Sequence, residues 1–391
     1  MFNTWFQLCW REWKRILTDR RIVMILVGGP FFYAFIFGGV YWQGRAKHVP
    51  IVVVDQDHSR FSREITTAIA ASENMQIAGW VNSPEDFLAL ARHEQAYACV
   101  IFPPEFERDA LAGKKPRIGL ILDADNILVN GSTLIGLRAI VATYQVGVNE
   151  ERAEALGLPK AGALAASMPL APATRQMFNP TSHYSFYILM GLICIAVQSV
   201  TRIGCGISIE LDSVEKWKKD FPDRAVSRWE IFFSKVLATA LLVLPVGGIA
   251  LMLPFVLFGA PYRGSVLFIA LAFTIFALSQ ICIGYGYASL CRSAVVCTQL
   301  HLFMSVIVFT ASGFTWPYYA APEWIRWLGW LMPLFHMNCI VRKSALVGAP
   351  PSLLLAQHLL PLIMLGVVAF AWGWWAVRKE MSENPAGGGR D

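Results

Sequence analysis

The chain has 391 residues, of which 55% are hydrophobic, 13% aromatic and only 15% charged. Soluble domains carry about 25% charged residues, so this composition, with a mean hydropathy of +0.48, excludes an ordinary soluble protein and predicts a polytopic α-helical membrane protein. The formal charge of +6 is no argument for nucleic acid, because the basic residues stand beside apolar stretches.

Residues 1–21 predict a cytoplasmic amphipathic helix. Trp5, Phe6, Cys9, Trp10, Trp13, Ile16 and Leu17 fall on one face, with Gln7, Arg11, Lys14 and Arg15 mostly opposite. That pattern suits a helix lying in a membrane interface. A bilayer core takes about 20 apolar residues per helix, and 22–42 meets this as the first span. It reads as a retained helix, since it is too long for a signal-peptide core and no small-x-small cleavage site follows.

Residues 43–183 change character. Short β-rich runs at 51–55, 76–81, 96–102 and 117–123 alternate with helical patterns near 60–72, 84–94, 104–112 and about 132–156. Alternation of this kind predicts an α/β domain. Ser83-Pro84 is a helix start with a capping Ser before a Pro at the first helical position. Gly113 is placed to end the helix in PPEFERDAL. The longest helix carries Leu134, Leu137, Ile140, Val141, Tyr144 and Val148 on one face. The Pro- and Ala-rich stretch 158–180 reads as an exit linker. Two apolar strands end in Asp-x-Asp, at Asp55/Asp57 and Asp123/Asp125. Such a pattern opens the haloacid-dehalogenase phosphatases, and four converging carboxylates would bind a cation. The simpler reading makes them strand-end caps, with Asp57 or Ser59 capping the helix RFSREITTAIAA. Too little chain separates the two pairs for a phosphatase of that class.

Five further spans are expected at about 184–209, 231–258, 265–290, 294–314 and 354–377, making six, with Pro245 and Pro254 kinking or tilting the third span of the chain. Lys and Arg concentrate in the N-terminal leader, in the loop 210–230 (Lys216, Lys218, Lys219, Arg224, Arg228) and in the tail (Arg378, Lys379, Arg390). The positive-inside rule then makes both termini cytoplasmic and 43–183 extracytoplasmic. Within the spans, Arg202 and His301 are intramembrane ionisable residues, which are functional candidates by default. Arg202 also lies close enough to the cytoplasmic end to snorkel or to pair with Glu210. Gln198, Gln280 and Gln299 suit interhelical hydrogen bonds. Trp324, Trp327 and Trp330, within the segment 315–350, read as an aromatic belt on a short outer helix. The eight cysteines show no CxxC spacing, and Cys99 in AYACVIF reads as a buried strand position.

Several blocks in order resemble the ABC-2 type transporter permeases, in the branch with a large extracytoplasmic insertion between spans one and two. They are WREWKRILTDRRIVMILVGGPFFYAFIFGGVY (10–41), VVVDQDHSRFSREI (52–65), IFPPEFERDALAGKKPRIGLILDADN (101–126), Asn179-Pro180, SRWEIFFSK (227–235) and SGFTWPYYAAPEWIRWLGWLMPLFHMNCIVRKSALVG (312–348). The last resembles that family's outer re-entrant segment. The family's acidic pair followed by Gly-Thr is replaced: Glu210, Asp212 and Glu215 are followed by Lys216-Trp217.

The resemblance implies the permease subunit of an exporter in the bacterial inner membrane, moving an amphipathic or hydrophobic substrate such as a drug, lipid or glycan. No phosphate-cradling GxxxxGK[ST] is present. No cofactor is therefore expected on this chain, with ATP and magnesium held by cytoplasmic ATPase subunits. The other implied partners are a second permease, identical or paralogous, a periplasmic adaptor, and membrane lipid. Coupling to the ATPase is expected at the elbow helix through Trp10 and Trp13, and in the loop 210–230 through Asp212, Glu215, Trp217 and Phe221. Two other readings are a secondary transporter with a proton path through Arg202, His301 and Glu210, and a membrane-anchored enzyme in the outer domain.

Overall fold

The computed structural model describes residues 2–114, 116–123, 125–155, 179, 183–212, 214–222, 226–291 and 293–383. The linker expected over 158–180 falls, apart from Asn179, outside the described residues, as do Arg224 and Arg390. The chain divides into two compact units, one of residues 1–42 and 183–391, the other of residues 43–182.

Among the described residues the first unit's elements are all helices. It opens with α1 (Phe2–Thr18). Asp19 breaks that helix and caps the next, accepting from the Arg21 and Ile22 N–H groups at 2.9 and 3.3 Å. The following helix, α2 (Arg20–Val40), is long and apolar. It loosens to π geometry at Met24–Gly28, just before Pro30. Proline lacks an N–H and clashes with the carbonyl four residues back, and a π turn relieves both problems.

After residue 183 come α7 (Tyr184–Glu210), α8 (Val214–Asp220), α9 (Arg228–Val256), α10 (Val266–Leu290) and α11 (Ala294–Ala311). The segment 315–350 folds as a 3-10 turn at Tyr318–Ala320, α12 (Glu323–Trp330) and α13 (Pro333–Ile340), which continues as a π-helix to Val347. A last helix, α14, covers Pro351–Met381. Ser227 and Glu230 form a reciprocal capping box at the start of α9. Pro245 and Pro254 lie inside that helix. The helix α7 is the most enclosed, with its residues buried on nearly every side among α2, α9, α10, α11 and α13.

Small residues let the helices approach closely. A Cβ on Gly373 of α14 would sit 2.5 Å from the Cys282 carbonyl oxygen of α10, and one on Gly286 of α10 would sit 2.5 Å from the Trp372 ring. Such contact is how helices gain van der Waals energy in lipid, where apolar burial supplies no drive.

The second unit holds a four-stranded sheet of β1 (Val49–Asp55), β2 (Met75–Trp80), β3 (Ala98–Phe102) and β4 (Gly119–Leu122), in the order β2-β1-β3-β4. The β1 strand pairs parallel with both β2 and β3, whereas β4 runs antiparallel to β3. Between them lie α3 (Arg60–Ala70), α4 (Pro84–Arg92) and α5 (Phe106–Leu111), and α6 (Ile127–Ala155) follows. One sheet face packs Ile51, Val53, Val100 and Phe102 against Ile65 and Ile69 of α3 and Leu137 of α6. The other packs Val52, Val54 and the buried Cys99 against Phe87 of α4. Ile140, Val141 and Tyr144 join the first face, so α6 uses the apolar stripe that its sequence shows.

Among the described residues seven helices are long and apolar enough to cross a membrane: Arg20–Val40, Ile127–Val148, Tyr184–Glu210, Arg228–Val256, Val266–Leu290, Ala294–Ala311 and Pro351–Met381. Six of these match the expected spans. The seventh, Ile127–Val148, is the part of α6 that packs on the sheet.

Candidate functional site

The elbow helix does not present to the protein the face that its aromatic residues suggest. Leu8, Glu12 and Ile16, spaced four apart, are its buried positions, whereas Phe6, Trp10 and Leu17 are exposed. Trp13 packs partly buried against the helical core, and Phe6 stacks on Trp10. The aromatic face is thus directed mostly away from the protein, as an interfacial helix requires, and a carboxylate leads the inward face.

Glu12 is fully buried. Its Oε1 accepts from Lys235 Nζ at 3.1 Å and from the Ser208 hydroxyl at 3.2 Å. Arg15 closes on the same carboxylate, with Nε 3.1 Å from Oε2 and Nη2 on Oε1. Arg15 also donates to the Ser208 carbonyl at 3.0 Å and hydroxyl at 2.8 Å, at the end of α7. Lys235, 1% exposed on α9, makes a second ion pair with Asp212 at 2.7 Å. Tyr285 of α10 seals the far side, with its hydroxyl 2.7 Å from Thr239 Oγ1 and donating to the Lys235 carbonyl at 3.3 Å.

Asp212 extends the network to α8. Its Oδ2 accepts from the indole N–H of Trp217 at 2.6 Å, and its Oδ1 from Arg11 Nη2 at 3.2 Å. The Arg11 guanidinium lies 3.8 Å above the Trp217 ring and pairs with Asp220 at 2.8 Å. Trp217 itself is buried with Leu8 and Ile231, and Phe221 packs beside them. Arg11, Arg15 and Lys235 therefore meet Glu12, Asp212 and Asp220, and charge balances within the site. Buried ions are tolerated only when paired and fully hydrogen-bonded. Here the pairing joins α1, α8 and the adjoining ends of α7 and α9.

Burial pushes the Glu12 carboxyl up, but the Lys235 and Arg15 cations outweigh it and hold the group below its ordinary value. Asp212 is likewise raised by burial and lowered further by Lys235, Arg15 and Arg11, ending well below the carboxylate range. A carboxylate depressed on folding stabilises the fold above its unfolded value and loses that contribution as pH falls toward the folded one. Amide exchange across residues 5–18, corrected for intrinsic rate, should therefore be flat from about pH 8 to 5 and accelerate below about pH 4. Exchange that stays flat into stronger acid would show that these carboxylates do not hold α1.

Sequence reasoning selected Asp212, Trp217 and Phe221, and the fold brings them together. It missed Glu12, Arg15 and Lys235. A signal existed for two of them: Glu12 is an acid within a basic leader, and Lys235 is a lysine eight residues into α9. Trp217 does not present a surface to a partner, because Arg11 and Leu8 cover it. Glu215, on the same helix, is exposed.

The other candidates stand apart. Arg202 donates through Nε and Nη2 to Gln280 Oε1 at 3.1 and 2.7 Å, not to Glu210. Glu210 instead accepts from the Ala294 N–H at 3.2 Å, at the start of α11. His301 is buried on α11.

In the second unit the Asp pairs do not converge. Asp55 ends β1 opposite Phe102, whereas Asp123 follows the antiparallel β4 and bonds back to Tyr97, before β3 begins. Strand β3 separates them laterally, and they lie at opposite ends of the sheet. Asp55 accepts from the Asp57 and His58 N–H groups and from the Ser62 hydroxyl. Asp57 caps α5, accepting from Phe106 and Glu107 N–H at 2.8 and 3.1 Å, while Ser59 caps α3. Asp123 accepts from the Asp125 N–H in a local turn. Among the described residues no group of three or more His, Cys, Asp or Glu is placed to hold a metal.

Comparison with known proteins adds the family context. The family described as ABC-2 family transporter protein matches residues 20–375. The chain is 23% identical to the probable multidrug ABC transporter permease YbhR of Escherichia coli over 358 residues, 89% of this chain and 91% of that protein. It is 22% identical over 399 residues to the inner membrane transport permease YhhJ of Escherichia coli, covering 96% and 97% of the two chains. It is 23% identical over 384 residues to the probable multidrug ABC transporter permease YbhS of the same organism, covering 96% of each.

Proposed function

This chain belongs to the ABC-2 family of transporter proteins, and on that premise we propose that it is an exporter's permease whose ATPase docks on α1 and α8. As a family member it is a multi-pass transmembrane subunit of an ABC transporter, associates with an ATP-binding subunit and is not itself an enzyme. The finer reading has six spans, with both termini cytoplasmic and residues 43–182 extracytoplasmic. In it α6 covers the sheet instead of crossing the bilayer. The concentration of Lys and Arg in the leader, the 210–230 loop and the tail supports this orientation.

The observation that carries the coupling proposal is the buried ion network. A push on α8 cannot slide it past α1 or α9 without parting Arg11, Trp217, Asp212 and Lys235. Parting buried charges is costly, so α1, α8 and the α7 and α9 ends move as one body. Nucleotide-driven motion at the cytoplasmic face would then reach the spans intact. Exposed Glu215 and Trp10, with half-buried Phe221 just past the end of α8, are among the groups left to meet the ATPase. A second permease, identical or paralogous, completes the membrane part, and a periplasmic adaptor fits an extracytoplasmic domain. The substrate is an amphipathic or hydrophobic molecule moved outward in the bacterial inner membrane, in keeping with the multidrug names of two relatives.

The test is ATP hydrolysis in lipid by the candidate ATPase with and without this chain. Association should raise or regulate turnover, and Glu215→Ala should weaken the apparent affinity by roughly two- to fivefold, the worth of an exposed ion pair. A chain that binds no ATPase and transports on a pH gradient alone would overturn the reading.

A further inference from the structure

The interior of the helical unit holds a cation that pairs with no carboxylate among the described residues. Arg202 is 4% exposed on α7, and its two hydrogen bonds go to a neutral group, Gln280 Oε1 of α10. Among the described residues no carboxylate forms an ion pair with it. The Tyr287 ring lies 5.7 Å from its guanidinium carbon, and Glu210 is engaged at the start of α11. A guanidinium cannot shed its charge at physiological pH. An uncompensated one inside a helical bundle carries the full burial penalty of an ion.

Around it stand polar groups that are themselves unfilled. On α7, Gln198 stands one turn before both Thr201 and Arg202, three residues from Thr201 and four from Arg202. Both amide atoms of Gln198, the Thr201 hydroxyl, the Gln280 amide nitrogen and both ring nitrogens of His301 have no hydrogen-bond partner among the described residues. Gln198, Thr201, Gln280 and His301 are all at most 1% exposed. Register places Gln280 and His301 at the level of Arg202, with Gln198 one turn away along α7. A Cβ on Gly284 would meet the Arg202 Cα at 3.1 Å, so the α10 backbone lies directly against α7 at Arg202. A Cβ on Gly206 would meet Cys297 Sγ at 3.2 Å. With Glu210 bonded to Ala294, this makes α7 and α11 antiparallel. One turn from Gly206 is Arg202, and one turn from Cys297 is His301.

Buried donors left open are costly, and water would satisfy them without answering the charge. An oxoanion answers both, since it accepts from the guanidinium and from amide, hydroxyl and imidazole N–H or O–H donors together. We propose that Arg202, with Gln198, Thr201, Gln280 and His301, is a recognition site for the carboxylate or phosphate group of an amphiphile that this permease carries. The proposal rests on the permease reading for the word "carries", but its site and ligand chemistry stand on the residues alone.

The test is binding by the whole purified chain in phosphatidylcholine nanodiscs. The probes are 11-(dansylamino)undecanoic acid and its methyl ester, which differ in one charge. The acid should bind more tightly by roughly 10- to 100-fold, the worth of a charged hydrogen-bonded contact. Arg202→Gln should abolish that difference, and Gln198→Leu should shrink it. Repeating the titration with phosphatidylglycerol in the disc separates the two sources of anion. Loss of the acid's binding there assigns the site to a lipid headgroup, and its persistence assigns it to a free amphiphile. Equal binding of acid and ester by the unmodified chain overturns the proposal, as does an undiminished preference in Arg202→Gln. The first comparison needs no variant, so a variant that fails to fold leaves the question answerable. No ATPase is present, so failure here leaves the permease reading standing, and failure of ATPase association leaves this result standing.

Discussion

Lys235→Met is expected to destabilise the helical unit by about 3–5 kcal/mol, the cost of removing one member of a buried ion cluster. Lys235 pairs with both Glu12 and Asp212 from a fully buried position, whereas Arg11, which also reaches both, is partly exposed and shared with Asp220. Without it three carboxylates, Glu12 and Asp212 buried among them, are left to the two cations Arg11 and Arg15. The expected readout is a lower unfolding temperature in detergent and loss of ATPase coupling. A double replacement, Glu12→Met with Lys235→Met, should recover part of the stability, because apolar groups of similar volume often substitute for buried ion pairs at little cost. If the double variant is as unstable as the sum of both singles, the pair is not coupled and this account of the site fails.

Trp217→Ala is the second large effect. Trp217 is 1% exposed and packs on Leu8 and Ile231. Truncating a buried Trp costs about 3–5 kcal/mol, and here it also removes the indole N–H from Asp212 and the ring beneath Arg11. The helix α8 should detach from α1, seen as rapid amide exchange over 214–220 and as loss of ATPase stimulation. Trp217→Phe keeps the ring and loses the indole bond, so its loss should be closer to the roughly 1.5–3 kcal/mol of a bond to a charged group. Equal behaviour of Ala and Phe would mean that the hydrogen bond, not ring burial, holds α8. Either way, loss of coupling in these variants comes with loss of local structure, whereas Glu215→Ala tests the exposed surface alone.

Much of the fold was legible because bilayer crossing and sheet formation write themselves into short sequence windows. The six expected spans reappear as helices to within a few residues, since a run of about 20 apolar residues has few other ways to satisfy its backbone in lipid. The strands of the second unit appear where β-rich runs end in Asp, Asn or Pro. The helix α6 shows the limit of that logic. Its length and composition suit a span, yet its apolar stripe of Leu137, Ile140, Val141 and Tyr144 lies on the sheet. Hydropathy alone does not separate those outcomes.

The site was half legible. Asp212, Trp217 and Phe221 lie in a loop that charge patterning singled out, but the same patterning treated Trp217 as an outward contact. Nothing local to residues 210–230 says that Arg11 will cover its ring. The Asp pairs of the second unit make the converse point. Their sequence contexts are alike, and only the reversal of β4 against β3 carries them to opposite ends of the sheet.

By itself, then, the sequence determined which segments are apolar enough to span, the order of strands and helices in the inserted unit, and its kinship with a permease family. All of these depend on residues near one another in the chain or on overall order. Only the tertiary structure decided which charges are answered. Glu12 pairs with Lys235 across 223 residues, while Arg202 meets Gln280 and not Glu210. An ion's partner is set by which helix ends meet in space, and in a low-dielectric interior that meeting determines whether a charge holds the fold together or waits for a ligand.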